Sequence, residues 1–264
     1  MKTKTAPIIL SNVMISEMNK TLTFREITEP EELEKAFRFR YEEYLNSRCH
    51  VLIKQNQQNV DIDIYDLHSK HYGLYISNGL MIGYLRFVLD KKEYYNNAIF
   101  MIGKKYDLFN ETEHSFESLK NNNRADYPFL SYPNLPESIS SFYASLTDIN
   151  DRVIEASRLI ISENFRGLRN ISFIVECAIS IYVLDCKNYN YAVVDCVREH
   201  AVFYRRYGFE LIEKNQNYNV LNLNRLVTCL YFPISMSSIP KTLHTRFEQM
   251  ANEFSQTNKI SRAI

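Results

Sequence analysis

Residues 153–197 constrain the fold of this chain more than any other stretch. A mostly apolar run, Val153 to Ile161, is followed by a short loop. Then come a segment from about Ile171 to Cys186 that is apolar on nearly all sides and a second apolar run, Tyr191 to Val197. This pattern predicts a strand, a buried crossover helix and a second strand parallel to the first, because a strand buried on both faces reads as a continuous apolar run. The first run nevertheless contains Glu155 and Arg158. Burying an unpaired charge is costly, so these two are either a structural ion pair or a site. In a regular strand they would face opposite sides, and a bulge between them brings them together.

The same conflict between charge and apolar surroundings recurs elsewhere. Thr28-Glu29-Pro30-Glu31 has capping-box spacing with a proline in the first turn, and predicts a helix to about Leu45 with Leu33, Phe37, Tyr41 and Tyr44 on its apolar face. Arg40 falls within that face and requires a buried carboxylate, whereas Arg38 points away. Asn78-Gly79 joins strands Tyr72–Ser77 and Leu80–Leu89 as a hairpin. The period of two then puts Ile82, Tyr84, Arg86 and Val88 on one face, so Arg86 is a second guanidinium on an apolar surface. The polar stretch before the hairpin carries Asp63 and Asp66. One shared polar cluster accounts for all of these charges.

The chain has 264 residues, 45% hydrophobic and 23% charged, with formal net charge zero. That excludes wholesale disorder and a general electrostatic pull toward nucleic acid or anionic membrane. Five cysteines without CxxC spacing, several in apolar runs, point to a reducing compartment. The stretch Ala6 to Leu10 is too short for a signal-peptide core, so a cytoplasmic location is expected. The expected organisation is an arm over 1–23, one domain over 24–236 and an amphipathic helix over 237–264. The domain carries an insertion at about 90–150, within which a helix is expected near Ser138 to Leu146. A short helix, Glu199 to Tyr207, closes on Gly208, and strands follow near Phe209 to Glu213 and Arg225 to Pro233. Leu243, Phe247, Met250 and Phe254 have helical spacing. Mixed charges favour packing of this tail onto the body, with peripheral membrane contact left open.

An ordered set of residues carries a resemblance: Arg40 with Tyr44, Asp63-x-x-Asp66, Gly83-x-x-Arg86, Glu155-x-Ser157-Arg158, and the run Phe203-Tyr204-Arg205-Arg206-Tyr207-Gly208-Phe209-Glu210. Over residues 37–90 and 152–212 the chain resembles the GNAT acyltransferases. Within them it is most similar to the N-acyl amino acid synthases, the exosortase-associated acyltransferases and the acyl-homoserine lactone (autoinducer) synthases. The resemblance implies an α/β fold with a mixed twisted sheet of six or seven strands flanked by helices, its central parallel strands splayed. It also implies transfer of a fatty acyl group from an acyl carrier protein or coenzyme A thioester to the amine of an amino acid or similar small acceptor. The donor is then a substrate, and no tightly bound cofactor or metal is implied. An acyl-homoserine lactone synthase, or an acyl-carrier-binding module without turnover, are the alternatives.

On that resemblance Glu155 is the candidate base, or alternatively only a holder of Arg158 or Arg86. Amides at the bulge, helped by Ser157, would stabilise the oxyanion, and Tyr204 would protonate the leaving thiolate or simply pack. Arg40, Asp63, Asp66, Arg86 and Arg158 would organise the acceptor pocket or serve as scaffold. Leu159, Ile161, Arg166, Gly167, Arg169 and Asn170 would meet the phosphopantetheine. There are two departures from the family. Counting from Arg166, the positions that usually hold small residues are Arg169 and Ile171, with Gly167 out of register, which favours a carrier-protein donor. The chain also has no Trp, which favours an amide product over one dependent on S-adenosylmethionine. Asp66, His68 and His71 could ligate zinc by residue type, but no HxxxH frame or fourth ligand accompanies them.

Overall fold

The computed structural model describes residues 21–53, 55–90, 94–108, 127–132, 134–148, 151–184, 188–213, 217–219, 223 and 225–263. Among these residues the chain forms one nine-stranded mixed sheet. In order, the elements are β1 (Thr21–Glu26), α1 (Pro30–Leu45), β2 (Ser69–Ile76), β3 (Met81–Val88), α2 (Asn97–Lys105), α3 (Glu137–Asp148), β4 (Val153–Ile161), α4 (Leu168–Leu184), β5 (Tyr191–Val197), α5 (Arg198–Arg205), β6 (Glu210–Leu211), β7 (Tyr218–Asn219), β8 (Leu226–Pro233), α6 (His244–Thr257) and β9 (Lys259–Ala263). Across the sheet the strands run β6-β8-β5-β4-β3-β2-β1-β9, with β7 also on β8. The parallel β4–β5 pair built on the crossover helix is present as the apolar pattern requires.

The two faces bury different things. On one, α4 and α6 cover Ile154, Leu85, Phe87, Ala192 and Phe232, with Phe247 of α6 fully buried. On the other, α1 and α2 pack with Tyr84 and Ile160, while Tyr127, Phe129 and α3 residues Ile139 and Leu146 pack with Val88, Val153 and Val193. The tail therefore packs inward, as its spacing predicts.

Two bulges set which side chains face which layer. Tyr84 pairs with Ile160 but Arg86 pairs with Ser157, so β4 holds one residue more than β3 across this step. Arg158 sits there with φ +56°. The alternation slips accordingly: Ile154, Ala156, Leu159 and Ile161 all pack on the α4 side. Glu155 and Arg158 consequently share the other face, as expected from a bulge between them. A second bulge lies in β3, where Leu74 pairs with Gly83 and Tyr75 with Met81. Tyr84, Arg86 and Val88 keep the face the period of two assigns them, but this bulge turns Ile82 to the α4 side.

β4 and β5 pair only from Val153/Tyr191 to Ala156/Val194, although both strands continue beyond. The sheet therefore opens at their carboxyl ends, which is the splay expected from the resemblance.

Other expectations need correction. The sheet has nine strands rather than six or seven, because the tail ends in β9, which pairs antiparallel with β1, and two two-residue strands join β8. β1 itself starts at Thr21, inside the stretch expected to be an arm; residues 1–20 lie outside the described residues. The first helix is capped at Glu29 without a side-chain bond, so Thr28 closes no capping box. The insertion contains α2 as well as α3; Asn96 caps α2 by accepting from the Ala98 and Ile99 amides, and residues 109–126 lie outside the described residues. Cys49, Cys177, Cys196 and Cys229 are all free thiols.

Gly208 ends the α5 segment at φ +99°, where a Cβ would come within 2.0 Å of the Ser238 carbonyl oxygen. Backbone and steric strain add there, so Gly208→Ala should destabilise the fold by about 2 kcal/mol or more. Urea unfolding of both proteins measures it.

Candidate active site

A short 3-10 turn, Ile64–His68, brings Asp63 and Asp66 under α1 and β3, and Asp61 joins them from the extended stretch before it. Asp63 caps the turn by accepting from the Tyr65 and Asp66 amides at 2.9 and 3.2 Å, and Asp66 returns the favour by accepting from the Asp63 amide at 2.8 Å. This reciprocal capping leaves the carboxylates fixed while arginines approach from three elements.

Arg40, fully buried, donates through Nε and Nη2 to Asp61 Oδ2 at 3.0 and 2.8 Å and through Nη1 to Asp66 Oδ1 at 2.7 Å. Arg86, also fully buried, donates through Nη1 to Asp63 at 2.6 Å and Asp66 at 2.9 Å, and through Nε to the Ser157 hydroxyl at 2.9 Å. Arg158 reaches Asp61 at 3.3 Å, Asp63 at 3.1 Å and the Leu52 carbonyl at 3.4 Å, with its guanidinium 5.4 Å from the Tyr44 ring centre. Burial pushes the Asp66 carboxyl upward, but Arg40 and Arg86 outweigh it and hold Asp66 well below the usual carboxylate range.

The sequence expectation of one shared cluster is met by Arg40, Asp63, Asp66, Arg86 and Arg158, but not by Glu155, which forms no ion pair with them among the described residues. Asp61 completes the cluster. Its signal was its place two residues before Asp63, on the same side of an extended stretch. Arg38, as expected, stays at the surface, bonded to Glu34 at 3.3 Å and the Tyr106 hydroxyl at 3.0 Å.

His71 and Tyr84 extend the cluster. His71 Nε2 faces the Asp66 carbonyl at 3.3 Å, so it carries the proton, and Nδ1 then accepts from the Tyr84 hydroxyl at 2.5 Å. Tyr84 in turn accepts from Arg40 Nη1 at 3.1 Å. Burial, reinforced by Arg40 and Arg86 against the opposing pull of Asp66, lowers the histidine to about 3. With Asp66 held by two guanidinium groups and both His71 nitrogens engaged, neither has a lone pair turned to a metal.

Glu155 lies on the same face, 2% exposed, with Oε2 accepting from the Phe129 amide at 3.2 Å. Burial and then the nearby Asp195 push its carboxyl well above the usual range, with Arg86 opposing. Arg158 is not its partner; that guanidinium is turned to Asp61 and Asp63.

On the α4 side of the opening lies a narrow apolar slot lined by Ala156, Leu159, Ala178, Tyr182, Val194 and Tyr204, among others. Tyr204 is 8% exposed and edge-on to Phe209, and burial holds its phenol above the ordinary range. Of the positions assigned to phosphopantetheine, Leu159 lines this slot and Ile161 is packed in the core. Arg166 donates to the Ile161 carbonyl at 3.0 Å, and Asn170 donates to the Phe165 carbonyl at 2.8 Å. Arg169 reaches the Ala263 carbonyl at 3.4 Å. Gly167 is exposed, caps the first turn of α4 with its carbonyl, and has open space where a Cβ would stand.

No protein-family model matches the chain, and no curated protein matches it by sequence. Solved structures do match. One is "a COA-dependent acyl-homoserine lactone synthase, BjaI, with SAM and isopentyl-CoA", at 14% identity and TM-score 0.51 over 86% of this chain and 89% of that one. The same protein with MTA gives 14% and 0.50 over the same shares. FeeM, "an N-acyl amino acid synthase from uncultured soil microbes", aligns more loosely, at 10% and 0.47 over 83% and 93%. At such identities the likeness is one of fold, and the fold is that of the GNAT-like acyltransferases.

Removing Asp66 leaves two buried guanidinium groups short of a partner, so Asp66→Ala should destabilise the protein by about 3–5 kcal/mol. Arg38→Ala, which removes a partly exposed pair and a bond to the Gln58 carbonyl, should cost less, about 1 kcal/mol. Denaturant titration separates the two. His71 is neutral in the folded protein down to about pH 3 but titrates near 6.5 when unfolded, so its burial favours folding above pH 6.5 and loses that benefit as pH falls toward 3. Its share of the loss between pH 7 and 5 is about 2 kcal/mol. His71→Gln should reduce the pH slope of stability by that amount.

Proposed function

We propose that this protein is an N-acyltransferase that moves a fatty acyl group from an acyl thioester to the amine of an amino acid or similar small acceptor. The observation that carries the reading is the opening between β4 and β5, with a buried carboxyl, Glu155, on one side and an apolar slot ending at Tyr204 on the other. Transfer to an amine needs both: apolar space for the acyl chain and a proton acceptor beside the carbonyl.

The amine nitrogen attacks the thioester carbonyl carbon, and a C–N bond forms as the C–S bond breaks. Glu155 takes the proton the nitrogen loses. Its raised pKa makes it a stronger base than an exposed carboxylate and suits it to that transfer. The oxyanion meets the Ser157 hydroxyl, whose oxygen accepts from Arg86 and whose proton is left to donate. The β4 bulge supplies backbone outside the regular ladder at the same place. Tyr204, held as a phenol by burial, returns a proton to the leaving thiolate.

An amino-acid acceptor fits one further feature. Arg86 Nη2 is buried and has no hydrogen-bond partner among the described residues, leaving a donor for the acceptor's carboxylate. The donor is an acyl carrier protein thioester or its coenzyme A counterpart; the irregular loop before α4 favours the carrier protein.

The test is thiol release from acyl-carrier protein and acyl-coenzyme A, with a panel of amino acids and S-adenosylmethionine as acceptors. The wild type should release thiol in step with formation of an N-acyl product. Glu155→Gln should lower the rate by a factor of about 10² or more while leaving thioester binding in place. Equal rates for both proteins, or no release with any pair, would refute the reading.

A further inference from the structure

Asp195 lies on β5, one residue past the last β4–β5 pair, and so is the first β5 residue at the opening of the sheet. By the alternation of β5 it faces the same side as Val193, which pairs with Glu155. The two carboxyl groups therefore flank the opening on one face, one from each strand. Both Asp195 carboxylate oxygens are buried, as is the Tyr218 hydroxyl, and none of the three makes a well-formed hydrogen bond among the described residues. The Tyr218 hydroxyl and the Cys229 thiol lie beside the carboxylate as weak donors that lower its pKa against the effect of burial. No cation of the arginine cluster bonds Asp195; its guanidinium groups are turned to Asp61, Asp63 and Asp66.

A buried carboxylate with only weak donors beside it and no cation to balance it is a liability to the fold unless something arrives to compensate the charge. We infer that Asp195, with Tyr218 beside it, forms the subsite that receives the cationic amine of the acceptor, opposite Glu155. This rests on the acyl-transfer reading above and adds the binding step. The acceptor arrives as an ammonium, its N–H groups satisfy the Asp195 oxygens, and its charge favours ionisation of both carboxyl groups. Of the two protons the nitrogen gives up in becoming an amide, Glu155 takes one and the other replaces the proton that Tyr204 gives the thiolate, while Asp195 stays charged and holds the acceptor in place. Burial raises the Asp195 carboxyl to about 6, so it is mostly ionised at neutral pH, as this role requires.

The experiment measures amine binding without turnover. Full-length wild type and Asp195→Asn are melted with increasing n-butylammonium chloride, and in parallel with n-butanol at matched chloride. The wild type should show a saturable rise in melting temperature with the ammonium and none with the alcohol. Asp195→Asn should melt no lower than wild type without ligand, since it removes a buried charge that no cation balances, and should need at least tenfold more ammonium for the same rise. An unchanged response in Asp195→Asn, or a wild type that does not distinguish ammonium from alcohol, overturns the assignment. The thiol-release assay tells the two readings apart. Amine binding through Asp195 with no thiol released by any acceptor would keep the subsite and sink acyl transfer. Turnover with an unchanged acceptor KM in Asp195→Asn would do the reverse.

Discussion

The carboxylate of Asp66, fully buried and held by Arg40 from α1 and Arg86 from β3, is the contact on which the rest of the site depends. Around it three guanidinium groups meet three carboxylates, so the formal charges of the array balance. A buried array of this kind gives little net stability over well-packed apolar side chains, because desolvation offsets most of the attraction. Its structural consequence is positional. Arg158 adopts a left-handed backbone that costs about 1–3 kcal/mol for a non-glycine residue. It is kept there by its bonds to Asp61 and Asp63. That one residue creates the β4 bulge and, with it, the common facing of Glu155, Ser157 and Arg158.

From the bulge onward the sheet has two unlike sides at one opening. Toward α4 the lining is apolar and ends at Tyr204; toward α1 and the insertion it is polar and contains the buried carboxyl groups of Glu155 and Asp195. An acyl thioester placed in the opening would have its chain on one side and its carbonyl exposed to an amine on the other. The separation follows from strand alternation, since neighbouring residues of β4 point to opposite layers.

Much of this was legible in the sequence because burial and charge conflict openly there. Arg40, Arg86, Glu155 and Arg158 sit in patterns whose periodicity assigns them inward, and a buried arginine requires a carboxylate. The bulge was legible for the same reason. What escaped notice escaped for identifiable causes. β9 is short and mixed in polarity, and its partner β1 lies across the whole chain, so only tertiary pairing defines it. Ile82 is turned by a bulge that leaves no mark in hydrophobicity. Asp195, in Tyr191-Ala192-Val193-Val194-Asp195-Cys196-Val197, shows the same conflict as Glu155, and the same criterion would have found it. Tyr218, on a two-residue strand, could be assigned only from the fold.

The most direct test of the account is an experimental structure of the protein with an acyl-pantetheine analogue in which a thioether replaces the thioester sulfur linkage. The pantetheine arm should enter between β4 and β5 beyond Ala156 and Val194, with the acyl chain against Leu159 and Tyr182 and the reacting carbon between Ser157 and Tyr204. An analogue bound elsewhere, or a β4 that is regular at Arg158 with Glu155 and Arg158 on opposite faces, would contradict it.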